Sequence, residues 1–213
     1  MSRGLLLLGL SAVLAGSAGC QLLAAPFLMW GPEPTKTVKA EYPHLQNKTV
    51  LVLVWAEPDA LFDYPTLQYV LSEHLRVALE GNVSGVRCVP SRPVVEMQQR
   101  ELDWDRRHPA EHGQRFKADQ VLSIEINQFT TREPDSPHLL RGHVSANVKL
   151  YDPSYGTGVG PVWEPSGGAV RVVYPEDGPG AWGVAEPEIA RELLTRFAQE
   201  VAGRFYDRKV KVK

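Results

Sequence analysis

The side chains with chemical potential fall in a few places. His108-Pro-Ala-Glu-His112 has the His-x-x-Glu-His spacing, in which two histidines on one helical face bind zinc and the glutamate activates water. Pro109, however, suits the first turn of a helix, where its missing N–H is tolerated, and this puts His108 at the cap rather than on the face. A third ligand would have to come from Glu186 or Glu188, and nothing selects either. The stretch is therefore expected to hold no metal. Glu57, Asp59 and Asp63 follow the first strongly apolar segment and would suit a carboxylate pair at a strand end, where α/β sheets bind ligands. Yet Ala56-Glu-Pro-Asp-Ala60 carries no glycine loop and would repel phosphate, and Asp63 reads more simply as the N-cap of the helix that follows. No Gly-x-Ser-x-Gly elbow is present, and no Ser–His–Asp order stands out. Asp103-Trp-Asp-Arg-Arg107 reads as a solvated connector, and Trp163 and Trp182 beside glycine-rich loops read as buried rings. No catalytic residue and no cofactor is expected.

Composition bounds the classes further. The chain has 213 residues, 43% hydrophobic and 23% charged, so it can bury a core, and its net charge of −2 lacks the basic excess of a nucleic-acid binder. With only Cys20 and Cys88, a disulfide framework is excluded. Cys88, in Val86-Arg-Cys-Val89, reads as a small buried hydrophobe. The N-terminus has the three parts of an export signal: basic Met1-Ser-Arg3, apolar Gly4–Leu14, and small residues Ala15–Gly19 leading into Cys20. Ser17-Ala-Gly-Cys20 resembles the lipobox of bacterial lipoproteins, in which cleavage precedes the cysteine and the thiol carries a diacylglycerol. That resemblance implies a signal peptide over 1–19, a lipid on Cys20 and a mature net charge of −3 once Arg3 is gone. An uncleaved anchor and a plain signal peptide are the alternatives, since Gln21–Trp30 is also apolar but Gly16, Gly19 and Pro26 interrupt the run.

The elements that must position any site read as follows. Residues 20–48 are a lipidated terminus and proline-broken tether, the domain spans 49–206, and a basic tail covers 207–213. Val50–Trp55 is continuously apolar and β-branched, the mark of a strand buried on both faces. A helix from Pro65 to Asn82, a short strand over Val83–Val89, a helix from Ser91 to Leu102 and another over Pro109–Lys117 follow. Gln120–Phe129 and Leu140–Asp152 alternate, Pro161–Glu164 and Gly168–Tyr174 continue the sheet, and Glu186–Tyr206 closes with a helical apolar stripe. The order β-α-β-α-α-β-β-β-α predicts an α/β fold with a mixed sheet, parallel in its first half and an antiparallel meander in its second, with helices packed on it. Arg204, Arg208, Lys209, Lys211 and Lys213 gather where they would favour the negative end of the last helix, or else an anionic surface.

Phe116-Lys-Ala-Asp-Gln-Val-Leu-Ser-Ile-Glu-Ile126, then Val148-Lys-Leu-Tyr-Asp152 and Val162-Trp-Glu164, resemble a family of exported α/β modules. It includes the curli-secretion channel lipoprotein, the lipoprotein activators of penicillin-binding proteins and the N-terminal domain of the Tol-system propeller protein. The family has Gly-Ser where this chain has Ser123-Ile-Glu125. Ala40-Glu-Tyr-Pro43 and Phe62-Asp-Tyr-Pro65 resemble segments of other bacterial lipoproteins. These resemblances imply an envelope protein, anchored by Cys20 with its domain in the periplasm, that binds other envelope proteins and is not an enzyme. The alternative is an envelope hydrolase, metal-dependent through His108, Glu111 and His112.

Overall fold

The computed structural model describes residues 35–178, 180–181 and 183–211. Cys20 and the whole of the export signal lie outside the described residues, as do Trp182 and Lys213. The elements are β1 (Thr35–Val38), β2 (Thr49–Ala56), α1 (Pro58–Asp63), α2 (Leu67–Asn82), β3 (Arg87–Cys88), α3 (Ser91–Arg100), α4 (Pro109–Arg115), β4 (Gln120–Glu133), β5 (Ser136–Tyr151), β6 (Val170–Tyr174), α5 (Glu186–Ala202) and β7 (Arg208–Lys211). Two units are distinguished: residues 38–208, and a smaller one in which residues 35–37 and 209–211 lie.

Within the larger unit the sheet order is β3-β2-β4-β5-β6. β2 pairs parallel to both β3 and β4, and β4, β5 and β6 are antiparallel. This is the expected mixed sheet, parallel first and meandering after. The period of two in β2 sends Val50, Val52, Val54 and Ala56 to the layer of α2 and α5, and Leu51 and Leu53 to that of α3, with Ala118 and Val121. β2 is therefore apolar throughout because both of its faces are covered. α5 buries Ile189, Leu193, Leu194, Phe197, Ala198, Val201 and Ala202, a stripe at helical spacing. It lies close on β5 because Gly142 has no side chain: a Cβ there would meet Leu193 Cδ2 at 2.9 Å.

β3 is far shorter than the Val83–Val89 strand expected and pairs only with Thr49 and Val50. Beyond it the outer edge of β2 is closed by side chains. Gln68 Nε2 from α2 and Gln98 Nε2 from α3 both donate to the Val54 carbonyl, each at 2.9 Å. A helix from either side of the sheet thus satisfies a backbone group that would otherwise be an orphan.

Other expectations need correction. Asp63 does not cap α2. It ends α1, a helix begun by Pro58 at a position that needs no N–H, and Thr66 precedes α2 without a side-chain cap. Pro161–Glu164 makes only a bridge, Leu150 with Trp163, since β5 finds its regular partner in β6. The folded unit begins before Thr49: Leu45 is fully buried, the Glu41 and Tyr42 amides donate to the Arg204 carbonyl, and the Tyr42 ring meets Phe205 edge-on at 6.5 Å. Residues 208–211 are strand β7, paired with β1, rather than a free tail.

Candidate functional site

The far end of β4 (Phe129, Thr130, Arg132) borders a groove of about 860 Å³. Its walls are the first halves of α2 (Leu67, Val70, His74) and α5 (Pro187, Ala190, Arg191, Leu194), and its end is formed by Tyr64 and Phe129. The Tyr64 ring stands on Phe129 edge to face at 4.7 Å.

A polar cluster sits at this end. The Tyr64 hydroxyl lies 2.7 Å from Thr131 Oγ1 and 3.4 Å from Glu186 Oε1. The Thr131 hydroxyl, fully buried, donates to Glu186 Oε1, and Arg132 donates to Glu186 Oε2. The hydrogen bond from Thr131, with the Arg132 guanidinium, holds the Glu186 carboxyl below its usual range, and burial pushes the Tyr64 phenol up. Every oxygen of Glu186 is thereby engaged, so this carboxylate ties the start of α5 to β4 rather than standing ready as a base. On the helical wall, His74 Nδ1 lies 3.0 Å from Thr195 Oγ1, and burial with the neighbouring Arg191 pushes its pKa down.

The residues singled out from the sequence fall as follows. Glu57, Asp59 and Asp63 do come together, lining a cleft of about 240 Å³ with Asn127, Gln128 and Phe129. His108 is the N-cap of α4, its Nδ1 accepting from the Ala110 amide at 3.2 Å. His112 is buried with Nε2 2.8 Å from the Trp104 carbonyl, while Glu111 is exposed. The two histidines therefore serve different local bonds and do not converge on one point. No group of three or more candidate metal ligands occurs among the described residues. Trp104 packs into the smaller core cluster, and Trp163 meets Phe205 at 4.8 Å in the larger one. Arg204 and Arg208 lie just past the end of α5, and both are held by Glu200 in its last turn.

No family model matches the chain, and no curated protein sequence does. Solved structures similar to it include the PelC dodecamer from Paraburkholderia phytofirmans, at 13% identity over 80% of this chain and 98% of that one, with a TM-score of 0.45. Lipoprotein GNA1162 from Neisseria meningitidis is 20% identical over 73% of this chain and 96% of that one, at 0.42. A minor lipoprotein from Acinetobacter baumannii is 12% identical over 73% and 90%, at 0.38. Likeness of this degree transfers no function. No helix among the described residues is long and apolar enough to cross a membrane.

Cys88 gives a first test of what is inert here. Burial, aided by the nearby Glu80 carboxylate, pushes its thiol up to about 12. At about pH 8 the thiolate needed for alkylation is then almost absent. Iodoacetamide is expected to leave Cys88 unmodified in the folded chain and to modify it fully in urea, as read by peptide mass. Labelling of the folded protein at the rate of a free thiol would refute this.

Proposed function

We propose that this chain is a bacterial envelope lipoprotein, lipidated at Cys20, whose α/β domain faces the periplasm from the outer membrane and binds another envelope protein without catalysis. The anchoring half rests on the sequence: a basic start, an apolar run and small residues leading into Cys20. Several acyl chains, at ~0.8 kcal/mol per buried CH₂, hold a protein to a bilayer where one chain does not. The resemblance to the exported α/β modules supports a role as an assembly partner.

The binding half is carried by one observation. Phe62 is 86% exposed, and its chain neighbours Asp63 and Tyr64 line the groove. An aromatic ring left in water beside a largely apolar groove is the composition of an interface anchor. Covering it would be worth about 1.5–3 kcal/mol. The alternative metal hydrolase needs His108 and His112 on one site, and their separate hydrogen bonds speak against it.

Two measurements test the proposal. The wild-type chain is expected to incorporate labelled palmitate in bacteria, and Cys20→Ala to incorporate none. Equal labelling, or a mature protein starting at Met1, would remove the anchor. In pull-downs from detergent-solubilised envelope, Phe62→Ser is expected to weaken capture of a partner by about 10–100-fold, the equivalent of the buried ring. Unchanged capture would move the binding surface elsewhere.

A further inference from the structure

The two edges of the sheet are treated differently. One is closed by Gln68 and Gln98 on Val54. The other is β6, with nothing paired to its outer side among the described residues.

Which groups β6 presents outward follows from its neighbour. The Leu150 amide donates to the Trp163 carbonyl at 2.9 Å, and the Leu150 carbonyl accepts from Val162 at 2.7 Å. Leu150 thus faces the β6 side, and strand alternation gives Val148, Ala146 and Val144 the same direction. Ala146 and Val144 are the register partners of Val170 and Val172. Those two residues therefore use their backbone groups on β5, and Arg171 and Val173 direct theirs away from the sheet.

This outward pair is symmetric about Val172. A twofold axis perpendicular to the sheet at Val172 sets Arg171 of one copy opposite Val173 of the other, twice over, each pair exchanging both N–H···O=C bonds. Val172 then meets itself at a non-hydrogen-bonded position, with Cα atoms about 4.5 Å apart. Val170 and Tyr174 come opposite each other beside it. All three lie on the face that packs into the main core, so the join is apolar on that face.

The helix layer fits the same operation. α5 packs on both β5 and β6. With strands about 4.8 Å apart, the twofold copy of α5 lies about 9.6 Å away, within the ~8–10 Å of packed helices. The flank that would be covered is the groove of about 600 Å³ between β6 and α5, lined by Glu192, Arg196 and Gln199 among others. Arg196 is bonded there to Glu192 at 2.9 Å and sits over the Tyr174 ring at 4.5 Å, so its charge is balanced within each copy. An added peptide would satisfy the strand edge but leave that flank of α5 open.

We propose that this chain pairs with a second copy of itself, β6 against β6 about a twofold axis at Val172, joining two five-stranded sheets into one and laying the two α5 helices side by side.

The test uses the full chain in bacterial membranes, with Cys88→Ala as the parent. On mild oxidation Val172→Cys is expected to give a disulfide adduct of twice the chain mass, since a residue on the axis meets its own copy within disulfide reach. Val77→Cys on α2, at 61% exposure more accessible than the half-buried Val172, and the parent alone are expected to give none. Adding Val173→Pro removes an outward N–H and spares the bonds to β5, and is expected to cut the yield by about tenfold. Should Val173→Pro lower the melting temperature, the comparison of Val172→Cys with Val77→Cys decides alone. Monomer throughout, equal yield at Val77, or an adduct whose mass reports a different protein would overturn the proposal.

Discussion

Phe197→Ala is expected to lower the unfolding free energy by about 3–5 kcal/mol, the range for deleting a buried aromatic ring. Phe197 is fully buried and lies in the middle of the α5 stripe, between Leu193 and Leu194 on one side and Val201 and Ala202 on the other. The surrounding core is built from strands fixed by their own ladders, so the cavity cannot collapse without breaking sheet hydrogen bonds. For a domain of this size each kcal/mol moves the melting temperature by about 2–4 °C, so a drop of about 10 °C is expected. In urea the midpoint should fall while the slope stays constant, because the surface exposed on unfolding is unchanged. Phe62→Ser supplies the contrast: the same residue type at 86% exposure should leave the midpoint where it was. A Phe197→Ala loss below about 1 kcal/mol would mean that α5 is not seated as described.

The placement of α5 matters because its first turn and its middle serve two different surfaces. Its first turn closes the groove through Glu186, and its middle flanks the outer edge of β6. Much of this was legible in the chain. The unbroken run Val50–Trp55 required cover on both faces, and the alternation of Val144, Ala146, Val148 and Leu150 fixed which face of β5 is core. The groove was less legible. Glu57, Asp59 and Asp63 drew notice because charges cluster visibly, but the cluster at the groove end joins Tyr64, Thr131 and Glu186 from three distant segments. Only Phe62-Asp-Tyr-Pro65, singled out as a recurring segment, pointed towards it. Asp63 misled because an acid before an apolar periodic stretch looks like a cap, whereas Pro58 had already started a separate helix. The strand pair β1 and β7 had no signal at all: polar four-residue strands at opposite ends of the chain carry no period from which pairing can be read.

The C-terminal basic cluster yields the second large effect. Glu200→Ala is expected to cost about 2–3 kcal/mol. Glu200 accepts from Arg204 Nη2 at 2.7 Å and from Arg208 Nη1 and Nη2 at 2.9 and 3.1 Å. Arg204 also bonds Glu41, so one carboxylate gathers the end of α5, the approach to β7 and the segment before β2. Hydrogen bonds to charged groups contribute ~1.5–3 kcal/mol each, and the sum is discounted because the Glu200 side chain remains 31% exposed. Burial alone would raise the Glu200 pKa, but Arg208 and Arg204 outweigh it and hold the carboxyl below its usual range. A folded pKa below the unfolded one means stability that is fully present above the ordinary glutamate value, about 4.3, and lost as the pH falls through the lower folded value. Glu200→Gln keeps an acceptor but does not titrate. Its deficit against wild type should therefore stay level from about pH 8 to pH 5 and close below about pH 4, in urea melts at fixed salt. A deficit unchanged down to about pH 3 would show that Glu200 acts by shape and neutral hydrogen bonding alone, and that the two arginines draw their stability from elsewhere.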